Sequence, residues 1–269
     1  FTEQLFLPFV GSVFTVAGLV FLLASRGVIR FRFLGFLALS VILALFILKG
    51  KSYYTLGIMP LLIAAGSAAY DSWFRNRVLR IAFPLAMVLI AIPGVPAGLP
   101  VWEKEGLVTY FNDLEEKYGA DLGRRFEDGS IHSLPQDYAD MIGWEELTAL
   151  TDRAYSMIED KEAALIYGEN YGHAGAITII GRKYGLPEAV SFHESFRYWF
   201  PRDFPVEIKS LVYINHELGA DVAELFADIR LIGKISDPDA REYGAAVYLC
   251  EEPVSSFNDF WRARTAAIK

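Results

Sequence analysis

The run KGKSYY, residues 49–54, gathers two ammonium groups and two phenols within six positions. Lys carries three N–H donors on a compact charge and Tyr adds a neutral O–H donor, a set that suits a phosphate. Lys51, Tyr53 and Tyr54 are therefore candidate phosphate-binding residues, and the other reading of the same group is a belt of snorkelling lysines and interfacial rings. Further along the chain, short apolar runs end in polar groups. Ala163–Tyr167 leads into Glu169, Asn170 and Tyr171; Ala189–Phe192 into His193 and Glu194; Leu211–Ile214 into His216 and Glu217; Ala245–Leu249 into Glu251 and Glu252. His193 and His216 with Glu194 and Glu217 could ligate a divalent cation through imidazole and carboxylate. GENYGHAG (168–175) has neither the dinucleotide nor the P-loop spacing, and HELGA (216–220) lacks the second His of a zinc-protease motif. No Ser–His–Asp arrangement stands out. Cys250 is the only cysteine, which excludes an internal disulfide and a thiolate metal cage.

These groups must be positioned by two unlike halves. Residues 1–100 hold eight Lys or Arg against two acids, a net +6, and residues 101–269 hold 17 against 31, a net −14. The overall 53% hydrophobic content averages the two. Such an acidic second half argues against nucleic acid, whose phosphates are bound by Lys and Arg. Uncharged runs extend over Gln4–Ser25, Phe33–Leu48, Ser52–Tyr70 and Ile81–Trp102. A helix needs about 20 residues to cross the hydrocarbon core, so four membrane spans are predicted within 1–102, the second of them short. Arg26, Arg30 and Arg32, and then Arg75, Arg77 and Arg80, lie in alternate loops, which the positive-inside rule assigns to the cytoplasm. The 49–54 loop and everything after Pro100 then fall outside. Pro60 and Pro84 lie within the third and fourth spans and are expected to bend them.

Residues 103–269 read as a soluble α/β domain. Helices are predicted at Leu107–Tyr118, Trp144–Ile158, Ala174–Tyr184, Asp221–Ile232 and Phe257–Thr265, with the four apolar runs as strands between the later ones. That alternation predicts a mostly parallel sheet, whose strand ends would share one rim carrying Asn170, Tyr171, His193 and His216, placed either to contact an acceptor or to pack against the membrane half. The chain opens at Phe1 without Met or a signal-peptide pattern and is read as cut from something longer.

GKSYYTLGIMPLLIAAGSAAYDSW (50–73), then LPQDYADMIGWEEL (134–147) and ALIYGENYGHAGAITIIGRKYGLPEAVSFHESFRYWFP (164–201), resemble in order two regions of the polyprenyl-phosphate-sugar-dependent membrane glycosyltransferases. These are relatives of protein O-mannosyltransferases and of the lipid A aminoarabinose transferases. Departures fall at His173, where the family pattern has Glu, at Phe192 for Gly, at Glu194 for Asn, and at Phe196–Arg197 for Tyr–Trp. The resemblance implies an integral protein, with a bacterial inner membrane as its setting, and a soluble domain on the periplasmic or extracellular side. It further implies an inverting transfer from a polyprenyl-phosphate sugar to an extracytoplasmic acceptor, with the catalytic acid upstream of Phe1. Lys51, Tyr53 and Tyr54 are then the part of the donor site assigned to this chain. A membrane-anchored module that binds a polymer or partner without chemistry is the alternative.

Overall fold

A computed structural model describes residues 11–50, 52–74, 76–119, 121–126, 129–266 and 268. The chain forms two compact units, Phe1–Trp102 and Glu103–Lys269.

The first unit is helical: α1 Ser12–Ala24, α2 Arg32–Ile47, α3 Met59–Trp73 and α4 Arg77–Ala91. With the adjoining 3-10 turns, the helical stretches Arg26–Ile47, Tyr53–Trp73 and Arg77–Gly98 are long and apolar enough to cross a membrane, and Ser12–Ala24 is a shorter apolar helix. The start of the first predicted span, Gln4 to Val10, lies outside the described residues. Apolar side chains on these helices point outward in large numbers, among them Phe33, Ile47, Val78 and Ile81. Water would disfavour such a surface, and lipid would not. Helices α1 and α3 approach closely because two glycines meet there: a Cβ added at Gly18 would lie 1.9 Å from the Leu62 carbonyl oxygen, and one at Gly66 2.0 Å from that of Phe14. Small residues of this kind let membrane helices pack backbone to backbone. Helix α2 joins this pair, and Leu22, Ala38, Ile42 and Leu62 form the buried cluster. Pro60 falls in the first turn of α3, where a missing N–H costs nothing, so it marks that helix's start and does not bend its middle. Pro84 does lie inside α4.

The second unit is an α/β structure: α5 Lys104–Tyr118, α6 Trp144–Ser156, β1 Ala164–Gly168, α7 Tyr171–Ile180, β2 Ser210–Asn215, α8 Ala220–Leu225, β3 Phe226–Lys234, β4 Ala246–Pro253 and α9 Phe257–Ala266. Its sheet has the order β1-β2-β4-β3. Only β1 and β2 run parallel; β4 is antiparallel to both β2 and β3. The sheet is thus mixed, which corrects the expectation of a mostly parallel one. The reason lies in two segments. Ala189–Phe192 contributes a single bridge, Val190 to Tyr167, instead of a strand. Asp221–Ile232, read as one helix, is a short helix followed by β3, which turns back through residues 235–245 into β4 as a hairpin. A hairpin makes antiparallel neighbours, whereas a parallel pair needs a long crossover.

Alternate side chains of the central strands enter two cores. Ile166, Val212, Ile214, Val247 and Leu249 pack with Leu147, Ala154, Ala174 and Ile177 of α6 and α7. Leu165, Tyr167, Leu211, Tyr213 and Cys250 pack with Val222, Phe257 and Trp261 of α8 and α9. Because both faces are covered, the strands read as near-continuous apolar runs.

Candidate functional site

Helix α2 ends in a Schellman-type turn: the Gly50 N–H donates to the Leu45 carbonyl (2.7 Å) and the Lys49 N–H to that of Phe46 (3.2 Å). Lys49 holds the left-handed position at φ 52°. A Gly is usual there, and a cation at a helix C-terminus is favoured by the dipole, so Lys49 serves as a cap. The candidate Lys51 lies outside the described residues. Tyr53 and Tyr54, both half-exposed, stand edge to face with centroids 4.7 Å apart at the start of the third apolar stretch. Their rings form one aromatic corner one to two residues beyond Ser52.

The carboxyl ends of β1 and β2 share one end of the sheet, since Gly168 pairs with Ile214. β4 runs the other way: Glu251 pairs with Ser210, the first residue of β2, so Glu251 and Glu252 lie at the opposite end. They leave the predicted rim for that reason, and the 235–245 turn takes their place. That turn brings in Glu242, a residue sequence reasoning missed.

Glu242 Oε2 accepts hydrogen bonds from two imidazoles, His173 Nε2 (2.9 Å) and His216 Nε2 (3.0 Å). Burial pushes its carboxyl up, but the bonds and charges of His173 and His216 outweigh this and hold it at about 2. His173 is fully buried at the first turn of α7, and its Nδ1 has no hydrogen-bond partner among the described residues. Asn170 caps that helix: its Oδ1 accepts the His173 N–H (2.8 Å), while its Nδ2 lies 3.2 Å from His173 Nε2. Such an N-cap satisfies a donor the helix cannot. Gly168 precedes the turn because a Cβ there would meet the Ala174 nitrogen at 2.7 Å.

Tyr171 and His193 stack face to face, with centroids 5.4 Å apart at 6°. The rim residues named from sequence therefore divide: His216 joins Asn170 and His173 at Glu242, and His193 goes to Tyr171. The set His193, Glu194, His216 and Glu217 does not assemble, and no group of three or more His, Cys, Asp or Glu placed to hold a metal occurs among the described residues.

On the other face of the same sheet end a cleft of about 630 Å³, counting its open mouth, is walled by Tyr167, Phe192, Tyr213, Phe257, Phe260 and Trp261. Tyr167 and Tyr213 lie parallel, centroids 5.9 Å apart at 2°. Burial, with the charge of Glu169 added, pushes both phenols up, so they remain protonated donors. The Tyr213 hydroxyl donates to Glu169 Oε2 (3.0 Å) and accepts from Asn215 Nδ2 (3.1 Å). Arg264 reaches Asp221 (3.5 Å) at the mouth. Aromatic walls with carboxylate, amide and guanidinium groups at the opening suit a small organic ligand that carries hydroxyls. Glu169 was legible as a strand-end acid. Trp261, Phe260 and Arg264 were not, because α9 reaches the cleft only through the antiparallel β4 that precedes it.

Fold and site together define a class: apolar helices long enough to cross a membrane, followed by an α/β unit with a small mixed sheet and a cleft at its strand ends. No protein-family model, curated protein or solved structure matches the chain.

Proposed function

We propose that this chain is the C-terminal part of an integral-membrane glycosyltransferase that moves a sugar from a polyprenyl-phosphate donor to an acceptor outside the cytoplasm. The observation that carries the reading is the strand-end cleft: the stretch 164–201, which resembles such enzymes, supplies its Tyr167, Glu169 and Phe192. The acceptor occupies this cleft, with hydroxyls bonded by Glu169 and Asn215 and its ring against the aromatic wall.

In the transfer, the acceptor oxygen attacks the anomeric carbon and the bond from that carbon to the phosphate oxygen breaks. The electron pair leaves with the polyprenyl phosphate. A carboxylate upstream of Phe1 takes the hydroxyl proton, and attack opposite the leaving group inverts the centre. Lys51, helped by Tyr53 or Tyr54, stabilises the charge growing on the phosphate. Lysines on the outer side run against the positive-inside bias, which supports a role beyond anchoring for Lys51 once Lys49 is assigned to the helix cap.

A charge-assisted hydrogen bond is worth about 1.5–3 kcal/mol, so Lys51→Ala is expected to lower donor-dependent transfer by the whole protein roughly 10- to 150-fold. Lys51→Arg should restore part of it. Transfer assays with a polyprenyl-phosphate sugar decide the matter, and an alanine variant with normal rate and donor affinity refutes the assignment.

A further inference from the structure

The chain passes from the last apolar helical stretch, ending at Gly98, to α5, starting at Lys104, through the five residues 99–103. Fully extended, that tether spans about 20 Å. Lys104 is then fastened to the 235–245 turn, its Nζ 3.0 Å from Asp237 and 3.1 Å from Asp239. The register fixes where that turn lies: Asn215 pairs with Ala246, and Ala246 with Lys234, so it sits at the end of the sheet where β1 and β2 finish. The chain thus enters the second unit at that unit's strand-end side.

An aromatic patch begins at that end with Tyr171 and follows α7 away from it. Tyr171 and Ile179, 54% and 62% exposed, lie on one face of α7, eight residues apart. Phe196 crosses that face at Gly175, with Trp199 beside it at 6.2 Å between centroids. Tyr198 and Trp199 are 68% and 72% exposed. Arg197 lies over the Tyr198 ring at 5.1 Å and donates to its hydroxyl (3.0 Å), which leaves further N–H donors of its guanidinium to meet a phosphate. Tyr, Trp and Arg side by side are the side chains favoured at the boundary of hydrocarbon and headgroups.

We infer that the second unit rests on the bilayer through this patch, with Tyr171, Tyr198 and Trp199 seated at headgroup level. The short tether makes the lipid surface the nearest occupant. Because the unit carries a net −14, contact is expected with zwitterionic lipid and weakened by anionic lipid. The inference rests on the membrane-crossing part of the proposed function and is independent of the transfer chemistry.

The buried Cys250 leaves an introduced thiol as the one to label. The whole chain carrying Ser195→Cys, beside the patch, or Ser255→Cys, beyond the far end of β4, is labelled with an environment-sensitive dye and reconstituted in phosphatidylcholine vesicles. The label at 195 should shift to the blue and lose emission to a lipid spin-labelled near its headgroup, and that at 255 should do neither. Adding Tyr198→Ser and Trp199→Ser should abolish the difference. Equal emission and quenching at the two positions overturn the inference, as does a blue shift at 195 without lipid quenching, which means that protein covers the patch. A chain stripped from the vesicles by alkaline carbonate refutes the membrane reading itself, and this inference with it.

Discussion

At the level of single residues, Glu242 organises the strand-end face most tightly. Its carboxyl is held at about 2, below the ordinary 4.5, and only 17% of its side chain is exposed. A depressed folded value contributes stability that is complete above the unfolded value, near 4.5, and is lost as the pH falls toward about 2. Glu242→Gln should cost about 2 kcal/mol at pH 5 and flatten the acid limb, read by near-ultraviolet circular dichroism between pH 5 and 2. An acid limb as steep as in the parent chain counts against this role. His216, Asn170 and Tyr171 could be picked out as strand-end groups. Glu242 could not, since it lies 26 residues beyond His216 and arrives only through the pairing of β2 with β4. Lys51 was the candidate from sequence because it adjoins the tyrosines, whereas the cap role of Lys49 came only with its φ of 52°. Lys49→Gly should keep donor-dependent transfer and, at φ 52°, stabilise the α2 end by up to about 1 kcal/mol, measured by thermal melting in detergent.

Elements were legible where one period dominates. α5, α6 and α9 follow amphipathic patterns, and β1, β2 and β4 are short apolar runs that no other element could use. β3 was hidden because Asp228 and Arg230 interrupt its apolar positions and Asp228 and Glu251 hold Arg230 beside the strand. Its charged face reads as a helix surface, although Pro238 and Gly244 mark a turn that a parallel crossover would not need. The crossing of α1 and α3 is also invisible to hydropathy, which scores glycine as neutral. Geometry gives it a direct test. Gly18→Ala or Gly66→Ala drives a methyl into the facing backbone, so the helices must separate, at a cost of about 1–3 kcal/mol. Gly57→Ala meets nothing within 4 Å and serves as the control. Melting in detergent should fall for the first two and hold for the third; equal melting of all three refutes the close crossing. A smaller backbone effect belongs to Glu194, at φ 49° where the resembled family has Asn. Asn tolerates that region better than Glu, so Glu194→Asn should raise stability by a few tenths of a kcal/mol.

Across the whole molecule, the charge reversal from +6 to −14 separates apolar helices with outward-facing aliphatic side chains from a unit whose two cores flank a polar-ended sheet. The basic residues of the first half also carry the prediction of its direction in a membrane. Arg80 bonds Asp71 (3.0 Å) and the carbonyls of Asp71 and Phe74, closing the turn between α3 and α4. Asp71 is one of two acids in residues 1–100, and the positive-inside rule counts Lys and Arg without regard to acids, so the prediction that the loop with Arg75, Arg77 and Arg80 is cytoplasmic is unchanged by this pairing. Among the described residues, a single helical stretch long and apolar enough to cross a membrane, Arg77–Gly98, lies between Asp71 and the last residue. Reporters at Asp71 and after Lys269 must therefore be on opposite sides if that stretch crosses, whichever way it points. A phosphatase that folds only outside the cytoplasm should be inactive at Asp71 and active after Lys269, and a cytoplasmic reporter should give the reverse. The two ways of failing separate two claims. Reporters on the same side would show that Arg77–Gly98 does not cross. Opposite sides with the activities exchanged would keep the crossing, reverse the positive-inside assignment, and move the strand-end cleft to the cytoplasm, where a donor presented at the outer surface could not reach it.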